Sequence, residues 1–171
     1  MFPTIAYNRS VRAYQVTRPD TGEIVEFPSG CKGEAELFAI RTANPRLARI
    51  VTDEVLARHP YLQARAWKAA ALVIDDKVHP APDDPLYFAY VMGENDTYAL
   101  GHDDGLMTCT CTDYTGFTAP VVSENGQRLC KHLISWSLFQ RLGLHRCYHC
   151  QQLVDAAADV CPNCHQLVTP F

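Results

Sequence analysis

The order of apolar and polar positions divides the chain into strand-like and helix-like stretches. Residues 11–17 (Val-Arg-Ala-Tyr-Gln-Val-Thr) and 23–27 (Glu-Ile-Val-Glu-Phe) flank a Pro19-Asp20-Thr21-Gly22 turn and predict a hairpin, which Pro28-Ser29-Gly30 ends. A helix is expected over about 34–43, with Leu37, Phe38 and Ile40 inward and Asn44-Pro45 stopping it. A second helix runs from Pro45 to Arg58 on a face of Leu47, Ile50, Val51 and Val55. A third opens at Pro60 and carries Leu62, Ala66, Ala70 and Val73 through Ile74. These helices are too short to stand alone, so they must pack on one another and on the hairpin.

Residues 75–85 hold three prolines and four aspartates and read as a linker. Beyond it, 86–92 and 97–100 have strand character around a Gly93-Glu94-Asn95-Asp96 turn. His102-Asp103-Asp104-Gly105 makes another turn, and Leu106-Met107-Thr108 leads to a cysteine pair. After a loop over 112–129, residues 132–142 space Ile134, Leu138 and Leu142 four apart, with Trp136 and Phe139 beside that stripe and Gly143 at the end. The fold class expected is α+β. Its units are an N-terminal hairpin-plus-helices domain (1–74), a linker (75–85), a β/α domain (86–143) and a small C-terminal module (144–171).

Eight cysteines change the picture. An even count is compatible with disulfides in an exported protein. The N-terminus, however, has no basic stretch followed by an apolar core, so no export signal is expected. The spacing is that of metal ligands in close pairs, and two Zn2+ ions are the expected cofactors. The first set is Cys109-x-Cys111 and, after eighteen intervening residues, Cys130-x-His132. Four such ligands close a tetrahedral shell and leave no position for water, which makes the site structural. The second set is Cys147-x-x-Cys150 and Cys161-x-x-Cys164. Its halves repeat as C-x-x-C-x-Q-L-V (Cys150-Gln151-Gln152-Leu153-Val154 against Cys164-His165-Gln166-Leu167-Val168), which predicts pseudo-symmetric knuckles. So small a module has little core and should depend on its metal.

Strand–turn–strand, then Cys109-Thr-Cys111-Thr-Asp-Tyr114, a loop, and Cys130-Lys-His132-Leu-Ile entering an amphipathic helix resembles the SWIM zinc finger over about residues 86–143. The segment 145–169 resembles a short zinc ribbon, with Gln151 and His165 near places where ribbons often have Gly. SWIM fingers occur in chromatin remodellers, transposases, kinase-linked ubiquitin ligases and recombination accessory proteins. The resemblance therefore implies binding to DNA or to protein partners.

Charge limits the partners. The formal net charge is −4. Ligation of two Zn2+ by seven thiolates would bring it to about −7. Nucleic acid would then have to be met by a local patch, not by the bulk field. The acid-free stretch 126–149 offers one through Arg128, Lys131, Arg141 and Arg146, with Tyr114, Phe117 and Tyr148 available for stacking on bases. The paired aspartates sit among turn residues and read as exposed loops. No phosphate-binding loop, dinucleotide fingerprint or hydrolase motif is present, and Cys31 has no assignable base, so no enzyme is expected. The sequence reading is a zinc-binding accessory subunit for DNA, or less favourably RNA, in a larger assembly. The alternative is an adaptor whose zinc modules dock a partner protein. No stretch is long and apolar enough for a membrane span, no small-molecule substrate is evident, and an intracellular, cytoplasmic location is expected.

Overall fold

A computed structural model describes residues 2–93, 95–147, 149–150, 152–155, 158 and 160–166; the side chains of His145, Arg146 and Leu153 also lie outside the described set. The chain is mixed α+β. It opens with an antiparallel meander of β1 (Thr4–Asn8), β2 (Ala13–Thr17) and β3 (Ile24–Pro28). The β2–β3 hairpin is the one the Pro-Asp-x-Gly turn predicts, with Gly22 at φ +72°. Strand β1 is an addition, paired to β2 in the register Thr4 to Thr17.

Helix α1 (Lys32–Ala43) lies against this sheet through Ala35 and Ala39, whose small side chains let Val16 and Phe27 approach. The buried positions of α1 are Ala35, Ala39 and Ile40, while Leu37 and Phe38 are half-buried. Helix α2 (Pro45–Arg49) is capped by Asn44, whose Oδ1 accepts from the Leu47 N–H at 2.9 Å. The helix then widens into a π-helical turn over Ile50–Leu56, with the Ala57 N–H reaching the Thr52 carbonyl. A 3-10 turn (Pro60–Leu62) leads into α3 (Gln63–Ile74).

A second antiparallel sheet has the order β4-β5-β6-β7, formed by Val78–Pro80, Tyr87–Met92, Thr97–Asp103 and Leu106–Cys109. Strand β4 falls inside the segment 75–85 read as a linker. It is an edge strand, where Pro80 removes no needed ladder donor. The remainder of that segment is held by Asp84, whose carboxylate accepts from the Leu86 and Tyr87 N–H groups and from the Tyr90 hydroxyl.

Helix α5 (Lys131–Leu142) follows the short α4 (Thr112–Thr115). It buries Ile134, Leu138 and Leu142, the stripe read from its spacing, together with Phe139 beside them, and ends at Gly143 with φ +61°. Its main partner is α3, where Ala66, Ala69, Ala70 and Val73 allow close approach. Trp136 covers the sheet beside Phe88, ring centroids 5.3 Å apart. One hydrophobic core therefore runs from Ile40 and Leu47 through Trp67 and Ala70 to Val91, Leu100, Cys130 and Leu138. The helices before residue 75 and the sheet after it bury one another. The C-terminal module adds a hairpin of β8 (Leu144–Arg146) and β9 (Leu153–Asp155) with a separate small core. Among the described residues no helix is long and apolar enough to cross a membrane.

Candidate metal centres and the surrounding surface

Cys109 ends β7, Cys111 precedes α4, Cys130 precedes α5, and His132 lies in the first turn of α5. The hydrogen-bond ladder that pairs β6 with β7 places Cys109 opposite Leu100, and the Thr110 N–H continues it to the Ala99 carbonyl. All four side chains are buried, and their donor atoms lie within 4.8 Å of one another. His132 Nδ1 is 3.7 Å from Cys109 Sγ, and the Tyr98 ring stacks on the imidazole at 4.2 Å.

In the second cluster Cys147 Sγ is 3.7 Å from Cys164 Sγ, and Cys150 Sγ is 3.6 Å from Cys161 Sγ. A disulfide would need about 2.05 Å. The edge of a tetrahedron of sulfurs at about 2.3 Å from a central ion is about 3.8 Å, and an S-to-N edge is slightly shorter. Both clusters therefore have the dimensions of a four-ligand metal shell. The two knuckles also repeat in their hydrogen bonds. The Cys147 N–H donates to the Gln152 carbonyl at 2.9 Å, and the Cys161 N–H to the Gln166 carbonyl at 2.8 Å. The Gln152 and Gln166 N–H groups serve Cys150 and Cys164 respectively. His165 adopts φ +57° without being glycine. Gln151, Leu167 and Val168, the rest of the repeat, lie outside the described residues.

Electrostatics agree with the spacing. Hydrogen bonds from Cys109 and Cys130 hold the Cys111 thiol far below its ordinary value. Hydrogen bonds to Cys111 and Cys130, with burial, hold Cys109 far above it. Cys130 receives a lowering bond from Cys109, but Cys111 and burial outweigh it and push the thiol up to about 11. In the second cluster the Asn163 side chain leads in drawing Cys150 down to about 6. Cys164 is pushed up to about 12: the Gln166 N–H lowers it, while burial and the neighbouring thiols raise it more. Thiols this close cannot all ionise unaided, and a dication removes that conflict. The two clusters fit two metal ions.

The loop between the first cysteine pairs is fastened from both sides. Arg65, on α3, donates through Nε and Nη2 to the Asp113 carboxylate at 3.2 and 3.0 Å and also to the Thr118 carbonyl at 3.2 Å. Arg65 thereby holds Asp113 below the usual carboxylate range. Arg128 donates through Nη1 to the carbonyls of Phe117 and Ala119 at 3.0 and 2.9 Å. Gly116 is required in between, because a Cβ there would lie 2.7 Å from the Thr112 carbonyl oxygen. Gln127 imitates a strand, accepting from the Met107 N–H and donating to the Met107 carbonyl.

The basic residues expected over 126–149 have different surroundings in the structure. Arg128 is spent on the loop, Arg141 pairs with Glu54, and the side chain of Arg146 lies outside the described residues, as does Tyr148. Tyr114 donates its hydroxyl to the Met107 carbonyl and is half-buried. Lys131 instead joins a different group. It lines two adjoining clefts with Lys68, which extend to Lys77 on one side and to Arg65 on the other. Asp75 and Asp113 line the same clefts, but Asp113 is held by Arg65 and Asp75 Oδ1 accepts from the Phe2 N–H. Lys68, Lys77 and Lys131 form no ion pair among the described residues. Sequence reading missed Arg65, Lys68 and Lys77 because they stand before residue 86, among charges that look like solvated helix faces.

No family model, curated protein or solved structure matches the chain. What the fold and its clusters define is an α+β protein with two four-ligand sites for metal ions, one inside the main core and one in the C-terminal module.

Proposed function

We propose that this chain is a structural-zinc protein that binds nucleic acid as an accessory component of a DNA- or RNA-processing assembly. Cys109, Cys111, Cys130 and His132 would hold one ion, and Cys147, Cys150, Cys161 and Cys164 the other. Thiolate-rich, closed donor sets favour zinc, which supplies folding energy there. The SWIM-like arrangement over 86–143 agrees with a recognition module.

The observation that carries nucleic-acid binding is the pair of adjoining clefts that share Lys68 and Lys131 and reach Lys77 and Arg65, in a chain whose net charge is negative. Lysines that form no ion pair among the described residues suit phosphate oxygens, although Lys68 also feels the charge of Glu36. The test is anisotropy of labelled single- and double-stranded DNA and RNA with zinc-loaded protein over a salt series. Micromolar or tighter binding that weakens steeply with salt is expected. Absence of binding at low salt would reject the reading in favour of a protein-docking adaptor. Metal analysis of unchelated protein should find two zinc ions per chain.

A further inference from the structure

Phe117 is 73% exposed, and its backbone sits at φ +60°, a region bulky residues avoid. A turn there needs no aromatic, and glycine would be easier. The strain persists because the surroundings over-determine the loop. Arg128 grips the Phe117 and Ala119 carbonyls, and Arg65 grips Thr118 from α3. The Arg128 guanidinium also lies 4.8 Å from the ring centroid, a cation–π contact that backs the ring. The phenyl group is therefore presented to solvent, its position already paid for in the free protein.

We propose that Phe117 is a base-stacking platform for single-stranded nucleic acid, and that the adjoining Lys68–Lys131 cleft holds the backbone phosphates. This rests on the nucleic-acid reading above and names its substrate class. Arg65 joins the two parts, since it touches Thr118 and lines the cleft with Lys68 and Lys131. A ring standing proud of the surface meets the face of a base only where the base is unstacked. Duplex reading through the major groove needs an exposed helix or ribbon. Helix α5, which starts at the cleft, buries His132, Leu133, Ile134 and Ser135 and cannot enter a groove. The immediate surroundings of Phe117 also differ from a protein hot spot. Its chain neighbours Thr115, Gly116 and Thr118 are exposed, the Arg128 guanidinium lies against the ring, and the apolar Val121 that bridges to Arg128 is itself exposed.

The experiment compares binding of labelled oligo-dT, oligo-rU and a duplex of equal length to zinc-loaded full-length protein and its variants. Phe117→Ala should weaken single-strand binding about tenfold or more, Phe117→Trp should retain it, and Phe117→Leu should behave as alanine does. Lys68→Glu/Lys131→Glu should weaken binding and lower the salt slope by about 1.4, that is about 0.7 for each phosphate contact on a single strand. Lys68→Glu/Lys77→Glu repeats that arm away from the metal ligands, and Arg9→Glu is the control for net charge. Metal content and far-UV circular dichroism check each variant. Single-strand binding that ignores both Phe117→Ala and the lysine reversals overturns this proposal and leaves the nucleic-acid reading standing. Duplex preference overturns it likewise, as does full retention by Phe117→Ala alone. Failure of the wild-type protein to bind any of the three overturns both.

Discussion

The first metal cluster should hold up the N-terminal helices as well as its own loop. Cys130 is fully buried in the same core as Trp67 and Ala70 of α3, and it caps the helix that α3 packs against. Structural zinc contributes about 10–16 kcal/mol of apparent binding energy. A domain's whole stability is about 5–15 kcal/mol. Cys130→Ser removes a ligand and leaves two buried thiols and an imidazole without a closed shell. A loss of even 4 kcal/mol would lower the melting temperature by about 8–16 °C for a chain of this size, and loss of the ion would unfold the shared core. The assay is Trp67 fluorescence in a Trp136→Phe background, since these are the only two tryptophans. Cys130→Ser, or a strong chelator, should shift Trp67 emission to that of exposed indole and abolish the cooperative urea transition. Cys161→Ser should leave Trp67 emission native, because its cluster belongs to a separate core. Metal-free Cys130→Ser protein with native Trp67 emission and an unchanged urea midpoint would refute the argument.

Four further outcomes follow from local geometry. A double-mutant cycle on Arg65→Ala and Asp113→Asn should give a coupling of about 1 kcal/mol, small for a bidentate pair because each side chain is 33% exposed to screening. The Asp84–Tyr90 bond lowers the Asp84 carboxyl and raises the Tyr90 hydroxyl. Its contribution through Asp84 is full above the ordinary value of 3.8 and lost as pH falls through the lower folded value. Through Tyr90 it is full below the ordinary value of 10.0 and lost as pH rises through the higher folded value. Ultraviolet titration against Tyr90→Phe should therefore show Tyr90 ionising at lower pH in Asp84→Asn than in wild type. His165→Gly should relieve a left-handed backbone and tighten zinc retention by the C-terminal cluster, measured by competition with a chromophoric chelator. Gly143→Ala, at φ +61° in the α5 cap, should cost about 1 kcal/mol in urea unfolding.

Features that depend on neighbours in sequence were legible in advance. The β2–β3 hairpin follows from its turn, α5 from a stripe four residues apart, and the two clusters from paired spacing. The repeat C-x-x-C-x-Q-L-V foretold the matching Gln152 and Gln166 bonds. Strand β1 was not legible, because a five-residue strand with mixed exposure has little pattern until β2 pairs with it. Strand β4 hid within a proline- and aspartate-rich segment that reads as a break, since an edge strand tolerates what a central strand forbids.

The surface chemistry shows the boundary most clearly. Ligand identity is a covalent property of the chain, and close pairs converge with little help from the rest of the fold. Whether a charge is free depends on what folding brings beside it. Glu54 reaches Arg141 across 87 residues, Asp113 reaches Arg65 across 48, and backbone carbonyls claim Arg128. The sequence by itself determined the β2–β3 hairpin, most of the helices, the two four-ligand sets and the negative net charge. Only the tertiary structure joined the helices and the sheet that carries Cys109 in one core, left Lys68, Lys77 and Lys131 without an ion pair among the described residues, and raised Phe117 into solvent. Burial, pairing and exposure are relations between segments distant in the chain, and no local pattern encodes them.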